Sequence, residues 1–261
     1  DKFIFSSGEW AFSRWDISLG KKNKTFYLPS NLLTVFPDDK FVLACGIDSI
    51  INVWNISNGE SVKSFPKVTD MLRSIAVSPD NKFAVSCGYN QSLTLLDISS
   101  GQEVNSFLFQ KPDGLNYISS VTISPDGKYV LAGSTDKALK LFEISSGKDI
   151  KVFQGQNGIR NAAFSPDGKC ILFGKGQELK LFDVDKAEEL RIFTGHTETI
   201  YSVAFSHDGK YALSGSSDKT IKLWDVNTGQ EIKTFAGHTD IVLWVTFSHD
   251  GKFIFSSGVD R

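Results

Sequence analysis

The chain has 261 residues, of which 41% are hydrophobic, and its formal net charge is −2 at pH 7. A chain of this length can bury a large core, and a charge this close to neutral argues against nucleic-acid binding through a basic surface. No run of 18 apolar residues occurs in the sequence, which argues against a membrane-spanning helix.

A repeat of about forty residues runs through the whole chain. Each copy contains four short runs, here called its first to fourth strands, which are too short and too rich in β-branched and aromatic residues to be helices. The second strands open at Phe3, Phe41, Phe83, Tyr129, Cys170, Tyr211 and Phe253. The first strands begin near Asn31, Met71, Ile118, Ile159, Ile200 and Val242.

The clearest copy runs from Gly195 to Gln230. Its strands are predicted over 200–206, 211–216, 221–226 and 231–235. An Asp-Gly pair separates the first two strands in four copies, and Gly suits such a turn because it accepts a positive φ. These pairs are Asp126-Gly127, Asp167-Gly168, Asp208-Gly209 and Asp250-Gly251. Another turn uses Gly59, Gly101, Gly147 and Gly229, but one copy has Ala187 there, which predicts a strained or different turn.

Four antiparallel strands in each repeat predict the blades of a β-propeller, because such a sheet buries both faces only against its neighbours. The fold class is therefore all-β, with seven second strands and six strands of each other type. This is one strand more than six four-stranded blades use.

The chain resembles the WD-repeat β-propeller family in two dipeptides. Gly-His precedes the first strand at Gly195-His196 and Gly237-His238, and Trp-Asp ends the third strand at Trp15-Asp16 and Trp224-Asp225. Degraded versions of the second pair occur at Trp54-Asn55, Leu96-Asp97, Phe142-Glu143 and Phe182-Asp183. The resemblance covers the whole chain and implies a fold that hosts many different functions.

The resemblance also implies a structural hydrogen-bond network within a blade. The matching residues are His196, Ser214 or Ser216, Asp218 and Trp224. A buried indole N–H and a buried imidazole both need partners, so a complete network stiffens the sheet. A His-Ser-Asp set could also be a hydrolytic triad, but the spacing belongs to the repeat and favours the structural role. His238, Ser256 and Asp260 form a similar set without a following Trp.

Residues 1–261 are predicted to be one WD-repeat domain cut within a repeat at both ends, from a seven-bladed or longer array. The alternative is a self-sufficient six-bladed ring, in which the strand over 241–248 joins third and fourth strands near Phe12 and Phe26 and leaves one second strand spare. A spare edge strand promotes aggregation and argues against that ring.

A partner-binding surface is expected at the rim of the channel, because loops from every blade converge there and the family commonly binds near the start of each first strand. That position varies between copies, so the scaffold does not dictate it. It holds Asn31, Arg73, Ser119, Arg160, Tyr201 and Leu243. Tyr117 lies two residues before Ser119, and Trp244 occupies a position that is otherwise small and polar. Trp244 is predicted to fill the channel mouth or to pack against a blade outside this sequence, and the alternative is an exposed anchor for a ligand. Arg and Tyr are typical of binding hot spots.

No catalytic residues, metal site or cofactor are predicted. The four histidines have positions that the repeat explains, and the three cysteines are too few and too far apart for a zinc site or a disulfide framework. Cys45 and Cys87 occupy one small-residue position, where Gly215 lies in the clearest copy. Free thiols favour a reducing, cytoplasmic location.

The predicted function is a non-catalytic protein–protein interaction scaffold that binds proteins or peptides at the channel rim, without nucleic acid or membrane. The alternative is a regulatory or sensing module of a larger protein, with a kinase, NTPase or caspase-like domain elsewhere in the same polypeptide.

Overall fold

Short β-branched and aromatic runs separated by tight turns form strands throughout the part of the chain that the structure describes. The computed structural model describes residues 3–7, 12–16, 19, 21–26, 30–46, 48–65, 72–89, 92–109, 117–134, 138–154, 159, 161–248 and 250–260. These residues contain no helix. They divide into two compact units, Asp1–Ile123 and Ser124–Arg261.

The first unit consists of antiparallel sheets whose strands follow chain order. A three-stranded sheet contains β1 (Phe3–Ser7), β2 (Phe12–Asp16) and β3 (Lys21–Phe26). A four-stranded sheet contains β4 (Ser30–Val35), β5 (Phe41–Gly46), β6 (Ile51–Asn55) and β7 (Ser61–Phe65). The next contains β8 (Leu72–Val77), β9 (Phe83–Gly88), β10 (Ser92–Asp97) and β11 (Glu103–Leu108). Strand β12 (Ile118–Ile123) lies against β8 and β9.

The second unit has the same organisation. Strands β13 (Tyr129–Ser134), β14 (Ala138–Glu143) and β15 (Asp149–Gln154) pair in order. One four-stranded sheet contains β16 (Ala162–Phe164), β17 (Cys170–Lys175), β18 (Glu178–Asp183) and β19 (Glu188–Phe193). The next contains β20 (Ile200–Phe205), β21 (Tyr211–Ser216), β22 (Thr220–Asp225) and β23 (Glu231–Ala236). Strand β24 (Val242–Phe247) pairs with β25 (Ile254–Gly258).

Neighbouring sheets of one unit bury apolar side chains against each other. In the second unit, Trp224 and Ile200 of one sheet join Leu172, Leu179 and Phe193 of the preceding sheet in a single buried cluster. Such clusters between neighbouring sheets stabilise a repeat protein, because a single sheet would leave apolar residues exposed on both faces. The predicted fold class, all-β with four-stranded antiparallel blades, is confirmed.

The turn between the first two strands of each copy has its own hydrogen-bond set. The Ser124 hydroxyl donates to Asp126 at 2.6 Å, and the Lys128 amide donates to the same carboxylate at 3.0 Å. The Tyr129 amide donates back to the Ser124 hydroxyl at 2.9 Å. Gly127 has a φ of 71°, as predicted for the Asp-Gly turn. The same set recurs after Ser78, Ser165, Ser206 and Ser248.

Ala187 confirms the prediction of a strained turn, because it has a φ of 55°, whereas the Gly residues in this position of other copies have φ of 70–80°. A residue with a Cβ in this left-handed region loses roughly 1–2 kcal/mol. We therefore expect Ala187→Gly to raise the free energy of unfolding by about 0.5–1 kcal/mol, after the entropy of the extra glycine is subtracted. Urea unfolding measures the change. The reverse substitution Gly147→Ala, at a φ of 70°, is the control and should destabilise; a neutral or destabilising Ala187→Gly would contradict the strain.

Several predicted strand starts differ from the structure. The largest difference is at the fourth first strand, which is expected near Ile159, whereas β16 begins at Ala162. β4, β22 and β25 each begin one residue away from the predicted Asn31, Ile221 and Phe253. Ile159 is nevertheless fully buried in the core of the second unit. An apolar pattern indicates which residues are buried, whereas a strand also requires hydrogen bonds to a neighbouring strand. The first buried residue and the first residue of the strand therefore need not be the same.

Candidate functional site

Arg73 is the extra residue of a β-bulge at the start of a first strand. Leu72 pairs with Gly88 and Ser74 pairs with Cys87, so Arg73 has no cross-strand partner in the ladder. A bulge bends the strand and turns a side chain away from the regular alternation. The same register shift isolates three more of the predicted rim residues: Asn31, Tyr201 and Leu243.

Arg73 is exposed, and its guanidinium lies against two neighbouring tyrosine rings. Its guanidinium carbon is 4.9 Å from the ring centroid of Tyr89 and 4.9 Å from that of Tyr117. The guanidinium also donates to the Tyr89 hydroxyl, and the two ring centroids are 4.7 Å apart. Cation–π contacts hold the three side chains in one arrangement. We call Arg73, Tyr89 and Tyr117 the rim cluster.

Tyr89 was not among the predicted site residues. It lies in the turn after β9, at the same end of the sheet as the start of β8. In the clearest copy the corresponding residue is Ser217, so variation between copies at this turn position is the sequence signal that indicates Tyr89.

In the second unit, two predicted rim residues form an exposed apolar pair. Leu243 and Trp244 are 45% and 48% exposed, and Tyr201 is half-buried. The position of Trp244 in other copies holds Ser74 and Ser202, whose hydroxyls accept hydrogen bonds from the Val121 and Val245 amides of the following first strand. The ring N–H of Trp244 cannot accept such a bond. Residue 244 therefore does not form the hydrogen bond to a following first strand that Ser74 and Ser202 form.

The remaining predicted rim residues are placed as follows. Ser119 is half-buried in β12. Asn31 lies in β4, but its side chain is not among those described, and Arg160 lies outside the described residues. The structure therefore brings together Arg73 and Tyr117 in the first unit, and Leu243 and Trp244 are neighbours in the second.

The predicted network residues meet inside the second unit. The imidazole Nδ1 of His196 is 2.7 Å from Asp218, and its Nε2 is 2.7 Å from the hydroxyl of Ser214. The indole of Trp224 donates to the same hydroxyl at 2.8 Å. An ionised carboxylate can only accept, so Nδ1 carries the proton and Nε2 accepts from Ser214. Ser216 does not contact His196 or Trp224 through a hydrogen bond: its hydroxyl donates to the Glu198 carbonyl at 3.2 Å and accepts from the Asp218 amide at 3.1 Å.

Burial and hydrogen bonds hold the side chains of this network in fixed positions. The side chain of His196 is fully buried, and burial lowers its pKa, although Asp218 acts in the opposite direction. Burial also acts to raise the pKa of Asp218, but hydrogen bonds from Thr220 and His196 outweigh it and lower that pKa. The Ser214 hydroxyl is fully buried and already bonded on both sides. A hydroxyl in this position holds the sheet together and has no room to attack a substrate.

Among the described residues, no group of three or more His, Cys, Asp or Glu side chains is arranged to hold a metal ion. Cys45 and Cys87 are free and buried, and burial is the largest cause that raises the pKa of each thiol to about 12. Thiols in this state are poor nucleophiles. Within the described ranges, no helix has the length and apolar character needed to cross a membrane.

Comparison with known families identifies the repeat. A family model described as "WD domain, G-beta repeat" matches residues 59–97, 107–143, 187–225 and 229–261, which together make up more than half of the chain.

The chain is also similar to parts of longer proteins. It is 38% identical over 63 residues to the human (Homo sapiens) intraflagellar transport protein 122 homolog, a stretch that covers 24% of this chain and 5% of that protein. It is 38% identical over 74 residues to the serine-threonine kinase receptor-associated protein of Gallus gallus, covering 28% of this chain and 21% of that protein. The chain therefore spans only a small part of these relatives.

Proposed function

Because the chain belongs to the WD domain, G-beta repeat family, we propose that it is a non-catalytic protein-interaction scaffold whose partners bind where the first strands begin. The rim cluster is the observation that carries this proposal. It places one cation and two aromatic rings, exposed or half-buried, at a position that the repeat leaves free to vary.

The chemistry of the rim cluster suits a protein ligand. Arg and Tyr are among the side chains enriched at binding hot spots. The two rings hold the guanidinium in one position before binding, which reduces the entropy lost when a partner orders it. The guanidinium still offers N–H donors beyond its bond to Tyr89, and carboxylates and backbone carbonyls of a peptide are natural acceptors for them. The ligand class is therefore a protein or peptide segment with a carboxylate or a carbonyl-rich turn.

Other features support the same proposal. One similar protein is named as associated with a serine-threonine kinase receptor, and another is named as an intraflagellar transport protein. The first name describes association with another protein. The net charge of −2 gives no electrostatic support for nucleic acid as the partner. Three free cysteines accord with a reducing compartment such as the cytoplasm. The alternative of a regulatory module in a larger protein stays a prediction that the sequence of the flanking reading frame would test.

We expect Arg73→Ala to weaken binding of a rim ligand about 10- to 100-fold, because it removes the cation that both rings hold. Peptides selected on the wild-type chain from a displayed library would supply the ligand, and fluorescence anisotropy would give the Kd. The melting temperature should stay nearly unchanged, since Arg73 is exposed.

Lys82→Ala is the matched control, since Lys82 is an exposed cation of the same sheet in the turn at the other end of β8. Arg160→Ala added to Arg73→Ala extends the test to the second predicted arginine. Selected ligands that bind the wild-type chain, Arg73→Ala and Tyr89→Ala with equal affinity would show that the rim cluster is not the binding site.

A further inference from the structure

A polar groove lies between two four-stranded sheets of the second unit, where the first strand β20 begins. It has a volume of about 580 Å³, within the size range of ligand sites. Its walls are the turn between β17 and β18, residues 197–199 before β20, and Ser217 after β21. Among the described residues, no apolar side chain lines it. A ligand in this groove is therefore held by hydrogen bonds and charge, with little help from the hydrophobic effect.

A short turn leaves this space open. β17 ends at Lys175 and β18 begins at Glu178, and these two residues pair in the ladder. Two residues therefore connect the strands, whereas three residues connect β21 to β22. Gly176 has a φ of 62° in this turn, a conformation that two-residue hairpins favour. A turn that is one residue shorter extends less far beyond the sheet, so the space beside it is accessible to a ligand.

Hydrogen bonds hold the opposite wall in place before a ligand binds. The Thr197 amide donates to the Asp218 carboxylate at 3.1 Å. The Ile200 amide donates to the Gly176 carbonyl at 2.8 Å and so joins this wall to the short turn. Because the backbone around the groove is already fixed, little conformational entropy is lost when a ligand binds there.

The side chains that line the groove carry more negative than positive charge. Two carboxylates, those of Glu178 and Glu198, lie in it with one ammonium group, that of Lys175. Lys180 neutralises Glu178 only in part, because its Nζ lies 3.5 Å from Glu178 and 2.8 Å from Glu189. A cation is therefore the ligand charge that this groove favours.

A third carboxylate, that of Asp218, lies behind the wall and adds to this negative charge. Its ring partner His196 is neutral at pH 7, because burial lowers the pKa of the imidazole. Among the described residues, no lysine or arginine forms an ion pair with Asp218. Excess charge of one sign in a concave site raises the local concentration of ligands with the opposite charge.

We propose that this groove binds the guanidinium group of an arginine side chain in a partner protein. A guanidinium offers five N–H donors in a planar fork that matches a carboxylate. Within the described part of the chain, the Glu198 carboxylate forms no ion pair or hydrogen bond, and the hydroxyls of Thr197 and Thr199 are further acceptors beside it. This role rests on the proposed function, because the groove lies where a first strand begins, but it involves no residue of the rim cluster.

A short capped peptide, acetyl-Gly-Arg-Gly-amide, tests the groove in an NMR titration of the isotope-labelled chain. We expect saturable shifts of the amide signals of residues 175–178 and 197–199. The same peptide with citrulline, which has the shape of arginine without its charge, should bind about tenfold more weakly. Glu198→Gln should weaken binding of the arginine peptide about fivefold to tenfold. Lys175→Gln should strengthen it about twofold to threefold, because it removes a like charge from the groove.

Glu188→Gln is the matched control, because Glu188 is an exposed carboxylate at the opposite end of the same sheet, where β19 begins. It should leave the affinity unchanged. Equal binding of the arginine and citrulline peptides, an unchanged affinity in Glu198→Gln, or tighter binding of acetyl-Gly-Glu-Gly-amide would overturn the arginine site. Circular dichroism of the variants checks that a loss of binding is not a loss of fold.

Peptides selected from a displayed library separate the arginine site from the rim cluster. Selected peptides that depend on Arg73 but not on Glu198 would overturn the arginine site and leave the proposed function standing. Peptides that depend on Glu198 but not on Arg73 would support the arginine site and contradict the rim cluster. Peptides that depend on neither residue would overturn both.

Discussion

Replacing Trp224 by alanine is expected to lower the free energy of unfolding by about 3–5 kcal/mol, in the range of other truncations of buried tryptophans. The side chain is only 1% exposed and packs edge-on against Phe193. Its indole is also a donor to the buried Ser214 hydroxyl at 2.8 Å. The substitution therefore removes apolar contacts and leaves a buried acceptor with one partner fewer.

Urea unfolding followed by circular dichroism measures this effect, and two further variants separate its parts. Trp224→Phe keeps much of the ring but loses the N–H donor, so it should cost less than Trp224→Ala. Trp244→Ala is the matched control, because Trp244 is 48% exposed, and its cost should stay below about 1 kcal/mol. A cost below about 1 kcal/mol for Trp224→Ala itself would mean that this side chain does not hold the sheets together.

The strand positions could be predicted because each turn between strands is stabilised by residues of the turn itself. Ser206, Asp208 and Gly209 define a turn by side-chain hydrogen bonds and a positive φ that depend on neighbouring residues alone. A short apolar run between two such turns has room for one strand only. Local rules therefore fixed most strand starts, and they failed at Ile159, whose burial comes from the rest of the core.

The β-bulges could not be predicted from the alternation of apolar and polar residues along a strand, because a bulge interrupts that alternation. In the first strands, Leu72 and Ile75 are buried three residues apart, and so are Val242 and Val245. In a regular strand every second residue points to the same face. Two buried apolar residues spaced three apart in the sequence therefore indicate a β-bulge between them. Applied to each copy, this spacing would have predicted which residue turns out of the ladder.

The rim cluster shows the other limit of sequence reasoning. Arg73 and Tyr117 were predicted from one repeat position and its neighbour, but Tyr89 comes from a different turn and meets them only in the folded sheet. Cation–π contacts depend on distances between side chains from separate strands. Variation between copies can indicate that a position is free for function, but it cannot show which free positions meet.

Gly174→Val is expected to lower the free energy of unfolding by about 3 kcal/mol, the upper end for overpacking a core. A Cβ at Gly174 would lie 2.8 Å from both Cβ and Cγ2 of Ile200 in the facing first strand. The Cβ of Ile200 is attached directly to the backbone, so it can move only if strand β20 moves with it. Valine is favoured in strands by propensity, and a loss of stability therefore reports the close approach of the two sheets.

Ser257→Val is the matched control, because Ser257 occupies the same repeat position on β25 and its side chain is exposed. It should change stability by less than about 0.5 kcal/mol. Urea midpoints of the two variants at equal protein concentration provide the comparison. Equal effects at Gly174 and Ser257 would contradict the packing argument. A large effect at Gly174 alone would show that the first strand β20 approaches Gly174 too closely for a side chain, whereas the sheets around Cys45 and Cys87 accommodate a buried side chain at the same repeat position.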